Sequence, residues 1–281
     1  MIPPKSWLPL VVFFVCAYIF SWIVFILLAL NHHGIIYLFP DDAAHARVQD
    51  AWHSIGGLGP GIAALICFAL FKKSSFKKFL RSWRFKRITG AGWFISLSPF
   101  IYLAIAIMIN RVIDNEWFNP ARFFKEQHLL SPLNLLAWLL PSLTYGFGEE
   151  AGWRGFALPF LQRKYSAFIA SSILALFWFG WHVPSFWYRY DLNLPSMLGL
   201  AMGIWAGSVW ITFIYNFTRG SLLAVGVWHF TWDVVSMIGK QGMIAAIMSI
   251  VIMILAVVVV IRYGTANLSP HPKVVMDDSI T

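Results

Sequence analysis

The chain of 281 residues is 59% hydrophobic and only 12% charged, and it contains 15 Trp and 25 Phe. A water-soluble domain does not need so much apolar surface, so the composition excludes a soluble globular protein and indicates an integral membrane protein. The net charge of +9 would suit a nucleic-acid partner, but no fold for base readout accompanies it, and we expect no nucleic acid to bind.

A window of about 19 residues identifies eight apolar segments, each long enough to cross a bilayer. They are residues 8–30, 52–71, 92–110, 133–161, 168–186, 197–217, 221–239 and 243–261. The sequence therefore predicts an all-α, polytopic membrane protein with about eight transmembrane helices in a single domain, residues 1–281. The first segment lacks a small-x-small cleavage site, which predicts a retained anchor rather than a signal peptide.

Basic residues concentrate between the second and third segments, in KKSSFKKFLRSWRFKR at 72–87. The positive-inside rule makes this loop cytoplasmic, and alternation across the membrane then places both termini and the polar tail at 263–281 in the cytoplasm. The same loop predicts contact with anionic lipid headgroups. If the source is bacterial, this multi-pass protein belongs to the plasma or inner membrane.

Some polar residues inside the apolar segments are not explained by topology. They are Glu149, Glu150 and Arg154 in the fourth segment, His182 in the fifth, Asn216 near the end of the sixth, and His229 and Asp233 in the seventh. Ionisable side chains at membrane depth are costly, so they are candidates for function.

The fourth segment contains the stretch YGFGEEAGWRG at 145–155. On a helix, Glu150 and Arg154 are four residues apart and can pair, whereas Glu149 is rotated by about 100° and stays available. A carboxylate in apolar surroundings beside a second carboxylate suits general-base chemistry. The alternative is that both glutamates only cap the end of this segment in water, although the apolar pattern continues beyond Arg154.

Histidines occur in the fifth and seventh segments. His182, with aromatic neighbours, would be weak evidence alone, because such a histidine is most often a packing residue. His229 and Asp233 lie four residues apart on one helix face, where they could orient the histidine, bind a metal or stabilise an oxyanion. They could also form a buried pair that only holds helices together.

Together these residues supply what the activation of a water molecule needs, namely a base, a proton-sharing partner and groups that stabilise a tetrahedral intermediate. Glu149, His182 and His229 could also bind zinc. The HExxH motif is absent, so the sequence does not require a metal.

Three motifs resemble those of the CPBP family of intramembrane proteases, which includes the type II CAAX prenyl endopeptidases and the bacteriocin-immunity (Abi) proteins. EEAGWR resembles EExxxR, WFGWH stands where the family has FxxxH, and HFTWD is similar to HxxxN/D. The segments LGPGIAAL at 58–65 and NFTRGSLL at 216–223 also look like family surroundings. The resemblance covers roughly the last two thirds of the chain, with a catalytic-type core at about 133–239.

The resemblance implies an intramembrane endopeptidase, with either a metal-dependent or a metal-free mechanism, in which Glu149 and His182 activate water. Glu150 would pair with Arg154 to hold the helix, and His229 with Asp233 would stabilise the intermediate. Trp178 stands where the family has phenylalanine, and we expect it to reshape the cavity wall without loss of the histidine. Asp233 cannot donate a hydrogen bond unless it is protonated.

The resemblance also implies a peptide or protein substrate, prenylated or otherwise lipidated, and contact with membrane lipids. One alternative is a transporter or immunity protein that uses the same groups as a proton relay or binding site. Another is a scaffold in which the polar cluster only fixes helix packing.

Straight helices would leave Glu149, His182 and His229 at different depths. Gly152, Gly155 and Pro159 could interrupt the fourth segment and bring its motif closer to the cytoplasm. The sequence therefore predicts a helix break between 145 and 162.

Overall fold

The computed structural model describes residues 6–42, 45–115, 117–189, 193–238 and 244–276. Within these ranges the protein is helical without strands, which confirms the all-α fold class. The helices are α1 Leu8–His32, α2 Ala46–Gly57, α3 Gly59–Phe71, α4 Lys73–Ser82, α5 Gly90–Ser96, α6 Pro99–Asp114, α7 Pro120–Glu126, α8 at 132–161, α9 Ala167–Arg189, α10 Leu194–Phe217, α11 Leu222–Ile238 and α12 Ile244–Asn267.

The predicted number of membrane-spanning helices can be compared with the helices that are long and apolar enough to cross a membrane. The described residues of all eight apolar segments are mainly helical, but among them only five helices are long and apolar enough to cross a membrane: Leu8–His32, Ala46–Phe71, Ala167–Arg189, Ser196–Phe217 and Ala246–Asn267. A sixth is counted if α5 and α6, which meet at a 46° bend, form one span. The count of about eight is therefore not confirmed, because α11 is short and α8 changes its helical type along its length.

Helix α8 is one continuous helical run built from α and π turns. It begins as an α-helix at Pro132–Leu143 and becomes π-helical at Thr144–Glu149 and again at Trp153–Ala157, with α turns between and after. The predicted helix break is wrong, since the backbone stays helical through Leu161. The deviation takes the form of π turns, which widen the helix and occur often at functional sites.

Glycines bring the π-helical part of α8 into backbone contact with its neighbours. A Cβ atom on Gly146 would lie 2.6 Å from the amide nitrogen of Phe230 on α11, and one on Gly152 would lie 2.5 Å from the backbone of Pro60 on α3. These close approaches set Glu149 and Glu150 between two helices. The glycines near the polar motif in the sequence therefore allow the close helix contacts that bury it.

One face of the bundle, which we call the α4 side, carries the basic helix α4. Phe79 of α4 packs on Phe68 at the end of α3, with ring centroids 5.0 Å apart. The same Phe79 ring lies beside Gly155 in the last part of α8. Leu222, at the start of α11, is also close to Gly155. Much of the loop predicted at 72–87 is therefore an amphipathic helix.

The opposite face, which we call the Arg189 side, contains the other ends of the same helices. Arg189, the last residue of α9, donates to Asp50 near the start of α2 at 3.4 Å. Arg47 of α2 donates to the carbonyl of Gln127, just after α7, at 3.1 Å. The start of α8 and the end of α11 also meet here, where Trp138 packs with Met237 in a separate apolar cluster.

The C-terminal segment folds back onto the α4 side. Helix α12 is interrupted at Gly264, which has a φ of 70°, and the chain beyond Asn267 returns to the bundle. Asn216 accepts from the amide of Val274 at 3.0 Å, and Met276 donates to the carbonyl of Pro159 at 3.0 Å. The predicted polar tail therefore docks over residues 268–276, which we call the C-terminal strap, while 277–281 lie outside the described residues.

Candidate active site

Glu150 lies at the centre of a buried network of charged side chains. Its Oε1 accepts from Arg154 Nη1 at 2.9 Å, as the four-residue spacing predicts, and lies 2.8 Å from His229 Nδ1. Glu150 and Arg154 have no solvent exposure and His229 is 5% exposed. A buried charge needs a partner. Because Glu150 and Arg154 lie on α8 and His229 lies on α11, this network of charged side chains joins the two helices.

Glu149 has different partners from its neighbour. Its Oε2 accepts from the indole nitrogen of Trp153 at 2.9 Å and also from that of Trp178. Its Oε1 has no hydrogen-bond partner among the residues that the structure describes. A buried carboxylate oxygen without a donor is unusual and marks a group whose other interactions depend on a ligand or water.

Trp178 connects the separate parts of the site. The centroid of its ring lies 4.8 Å from Arg154 Cζ and 5.5 Å from the centroid of the His229 imidazole. Its carbonyl is 2.8 Å from His182 Nδ1, so that nitrogen carries a proton and Nε2 is the basic nitrogen of His182. Trp178, the residue at which the chain departs from the resembled motif, therefore contacts Arg154, His182 and His229 in addition to Glu149.

His229 and Asp233 share one face of α11, as predicted. His229 Nε2 lies 3.7 Å from Asp233 Oδ2, a distance for an ion pair but too long for a direct hydrogen bond. The side chain of Asp233 is 27% exposed. His229 is thus flanked by the fully buried Glu150 and the more accessible Asp233.

These side chains meet at a cavity of about 740 Å³. His182, His229, Asp233 and Trp178 line it, together with apolar side chains of α10 and α12. Glu149 and Glu150 do not line it and are buried in its wall, where Trp178 and His229 connect them to the cavity. No direct hydrogen bond joins Glu149 to His182 in the described part of the molecule, since Trp178 contacts both.

The residues named as possible zinc ligands do not fit a shared metal ion in this arrangement. Across the described ranges, no three His, Cys, Asp or Glu side chains are placed to hold one ion. One oxygen of Glu149 is taken by two indole N–H groups, and His229 Nδ1 faces Glu150. We derive no catalytic step through a metal.

A second polar cluster on the cavity wall was not predicted from the sequence. His53 is stacked on Tyr145, with centroids 4.9 Å apart, and its ring nitrogens lie 2.6 Å from the hydroxyls of Tyr145 and Tyr188. Arg189 also lines the cavity. A histidine in the apolar stretch AWHSIGG could have signalled this cluster, whereas tyrosines in an apolar segment carry no such signal.

Comparisons with known proteins agree with the motifs. Residues 131–235 match the family model described as type II CAAX prenyl endopeptidase Rce1-like. A protein named CAAX prenyl protease 2 from Methanococcus maripaludis is 33% identical over 103 residues, which is 34% of this chain and 37% of the relative's length. Both matches confirm the predicted resemblance to a CAAX protease-like family, over a shorter stretch than the last two thirds of the chain. The description of the family model and the name of the relative are both those of proteases, and the chain spans about a third of that relative's length.

Proposed function

We propose that this CAAX protease-like chain is an intramembrane endopeptidase that hydrolyses a peptide bond of a membrane-associated or lipidated substrate. The observation that carries the proposal is the convergence of His182, His229 and Asp233 on one largely apolar cavity, with Glu149 and Glu150 buried in its wall. All five residues lie within the stretch that matches the protease family model.

Water activation is assigned to Glu149 and His182. Glu149 has an oxygen with no hydrogen-bond partner in the described structure, and His182 presents Nε2 as its basic nitrogen because Nδ1 is held by the Trp178 carbonyl. A water molecule that gives its proton to this pair attacks the carbonyl carbon of the scissile bond. The same proton is then delivered to the leaving amine, so the products are a carboxylate and a new amino terminus.

Stabilisation of the tetrahedral intermediate is assigned to His229 and Asp233. Glu150 orients the imidazole of His229 through Nδ1. The other ring nitrogen, Nε2, is therefore on the side of Asp233, which lines the cavity. An N–H at that position can donate to the oxyanion that forms during attack. Arg154 supports this arrangement from a distance because it neutralises Glu150.

The cavity fits an apolar peptide segment. Leu200, Ile211, Met248 and Ile252 form much of its wall, and polar groups occur near the proposed chemistry. Ligand sites of this kind combine an apolar lining with a few convergent polar groups. The relative named CAAX prenyl protease 2 supports testing prenylated peptides beside unmodified ones.

The test is cleavage of a peptide panel by the detergent-purified protein, followed by mass spectrometry. The panel contains farnesylated and unmodified carboxyl-terminal sequences, and the control is a mock purification from host cells without the gene. We expect cleavage by the protein and equal rates with and without a metal chelator. A folded protein that binds panel peptides and cleaves none of them would instead favour the binding or transport function.

A further inference from the structure

We propose that the polar cluster around His53 is a subsite for a carboxylate, with Arg189 as the charged donor and with Tyr145 and Ser142 as hydroxyl donors. The carboxylate belongs to the bound peptide and is either its free carboxyl terminus or an acidic side chain. That the ligand is a peptide rests on the proposed function, whereas the binding of a carboxylate does not require hydrolysis.

Ser142 has a buried hydroxyl that no other described residue satisfies. The residue is 1% exposed and lines the cavity, yet its Oγ has no hydrogen-bond partner in the part of the chain that the structure describes. Buried polar groups in folded proteins nearly always have a partner, so an exception beside a cavity indicates a group that a bound ligand or water satisfies. Ser142 is three residues before Tyr145, which places the two side chains on one face of α8.

The hydrogen bonds of His53 leave a tyrosine hydroxyl able to donate to a further group. Its Nε2 lies 2.6 Å from the Tyr145 hydroxyl, and its Nδ1 lies 2.6 Å from the Tyr188 hydroxyl. A neutral imidazole donates to one hydroxyl and accepts from the other, whereas a protonated imidazole donates to both. In either state, at least one hydroxyl accepts from His53 and directs its own hydrogen elsewhere. The tautomer with the proton on Nε2 gives this role to Tyr145, which lines the cavity.

Arg189 supplies the positive charge of the subsite. It lines the cavity, its side chain is 20% exposed, and its Nη1 lies 3.4 Å from Asp50 Oδ1. Asp50 is shared with Arg47, whose Nη1 lies closer, at 3.1 Å from the other carboxylate oxygen. A guanidinium has five N–H donors in a planar fork, so Asp50 can orient Arg189 while the same guanidinium binds a second carboxylate at the cavity.

The spacing along α9 connects this subsite with the proposed chemistry. His182 and Arg189 are seven residues apart, close to two helical turns, and both line the cavity. Their separation along the helix is roughly 10 Å at about 1.5 Å per residue. An extended peptide covers this distance with a few residues. A carboxylate bound at Arg189 therefore positions a nearby peptide bond of the same ligand beside His182.

Arg189 also acts on the proposed chemistry through electrostatics. Asp233 interacts electrostatically with Arg189 as well as with His229. Loss of Arg189 would therefore slow the cleavage of every substrate through Asp233, which differs from the loss of a carboxylate subsite. A comparison of peptides with and without a carboxylate separates the two effects, because only the subsite discriminates between such peptides.

The test gives the full chain in detergent four fluorescent peptides that share one apolar sequence and differ only at the last residue. The first has a free carboxyl terminus and the second a carboxamide, while the third and fourth are carboxamides that end in Asp and Asn. Fluorescence anisotropy measures Kd, and mass spectrometry measures cleavage. We expect a preference of at least about tenfold for the carboxylate peptide in one pair, because the other member lacks a charge-assisted hydrogen bond. The first pair identifies a free terminus as the source and the second pair an acidic side chain, and equal Kd values within both pairs would overturn the proposal.

Substitutions then test the named residues in the pair that discriminates. Arg189→Gln should abolish the preference, and Arg189→Lys should retain part of it, since lysine keeps the charge without the planar fork. Ser142→Ala should weaken the preference and leave the thermal midpoint unchanged, because its hydroxyl has no described partner to lose. Arg122→Gln, at an exposed ion pair, is the control and should keep the full preference.

The outcomes distinguish the subsite from the proposed function. A full preference in folded Arg189→Gln would overturn the assignment, and if this variant does not fold, an unchanged preference in both Arg189→Lys and Ser142→Ala would do so. Discrimination in Kd without cleavage of any peptide would support the subsite and contradict the proposed hydrolysis. Cleavage of all four peptides with equal Kd values would support hydrolysis and overturn the subsite.

Discussion

Glu149 and Glu150 are adjacent in the sequence, yet their carboxylates have different partners. Glu150 is held by Arg154 and His229, whereas Glu149 is held by two indoles, and each carboxylate has one oxygen without a partner among the described residues. The one-residue step along the helix turns the two side chains to different neighbours. Glu150 is therefore paired with charged or ionisable side chains, as a positioning role requires, whereas Glu149 contacts only neutral donors.

The structural role of Arg154 leads to a stability prediction. Arg154→Ala should lower the free energy of unfolding by about 3–5 kcal/mol, because it leaves the buried Glu150 with His229 alone. The measurement is thermal unfolding in detergent. Arg122→Ala, which removes an exposed pair with Glu126, should cost less than about 1 kcal/mol. Equal effects of the two substitutions would show that the buried network of charged side chains does not stabilise the bundle.

Trp178 leads to a prediction about activity. Trp178→Phe restores the aromatic residue of the resembled motif but removes the N–H that Glu149 accepts. Since a hydrogen bond to a charged group is worth about 1.5–3 kcal/mol, kcat should fall roughly tenfold or more while the protein stays folded. The matched control is Trp187→Phe, a half-exposed tryptophan on the same helix. An unchanged kcat for Trp178→Phe would show that the hydrogen bond from Trp178 to Glu149 does not contribute to catalysis.

The residues of the site were largely predictable, and their contacts were not. Charged groups at membrane depth have few explanations other than function, which is why Glu149, His182 and Asp233 stand out in the sequence. His53 was missed, and Trp178 was expected only to shape the cavity wall, because aromatic and histidine side chains are also ordinary packing residues. Only the fold shows that they reach Tyr145 and Glu149.

At the scale of the helical elements, α8 depends on glycine at its close contacts. Gly152→Ala would place a Cβ atom 2.5 Å from the Pro60 backbone, so α3 and α8 would have to separate. We expect a loss of about 1–3 kcal/mol in stability and reduced activity. Gly90→Ala is the control, because nothing lies within 4 Å of its added methyl group. A stable and active Gly152→Ala variant would contradict the proposed packing.

The C-terminal strap should stabilise the α4 side. Deletion of residues 268–281 removes the hydrogen bonds to Gln162, Asn216, Tyr165 and Pro159. At about 1 kcal/mol for each bond, the free energy of unfolding should fall by about 2–4 kcal/mol. Deletion of 277–281 alone leaves these contacts in place and is the control. Identical thermal midpoints for the two deletions would mean that the strap does not hold the bundle.

The form of α8 was beyond sequence analysis for a physical reason. Glycine and proline weaken a helix in isolation, which led to the predicted break. In the bundle, the contacts of Gly146 and Gly152 with neighbouring backbones hold the segment helical, and the strain appears as π turns. Tertiary packing therefore overrides the local preference.

At the scale of the whole molecule, the apolar pattern predicted the helical class, while its count of about eight spans is not confirmed. Hydropathy cannot distinguish a crossing helix from one that is short or buried in the bundle, such as α11, whose residues Val225 and Trp228 are buried. The cytoplasmic position of the termini remains a prediction from the positive-inside rule. The cavity itself could not be predicted, because it is lined by parts of helices that are far apart in sequence, including residues 178–189 of α9, 196–211 of α10 and 228–237 of α11.

The proposed hydrolysis depends on water activated at Glu149. The most direct measurement compares peptide cleavage in ¹⁸O-labelled water by the wild type, Glu149→Gln and the exposed control Glu126→Gln, with thermal unfolding recorded for each. We expect ¹⁸O in the new carboxyl group for the wild type and Glu126→Gln, and a Glu149→Gln variant that is folded and at least about a hundredfold slower. A folded Glu149→Gln variant that cleaves at the wild-type rate would contradict it.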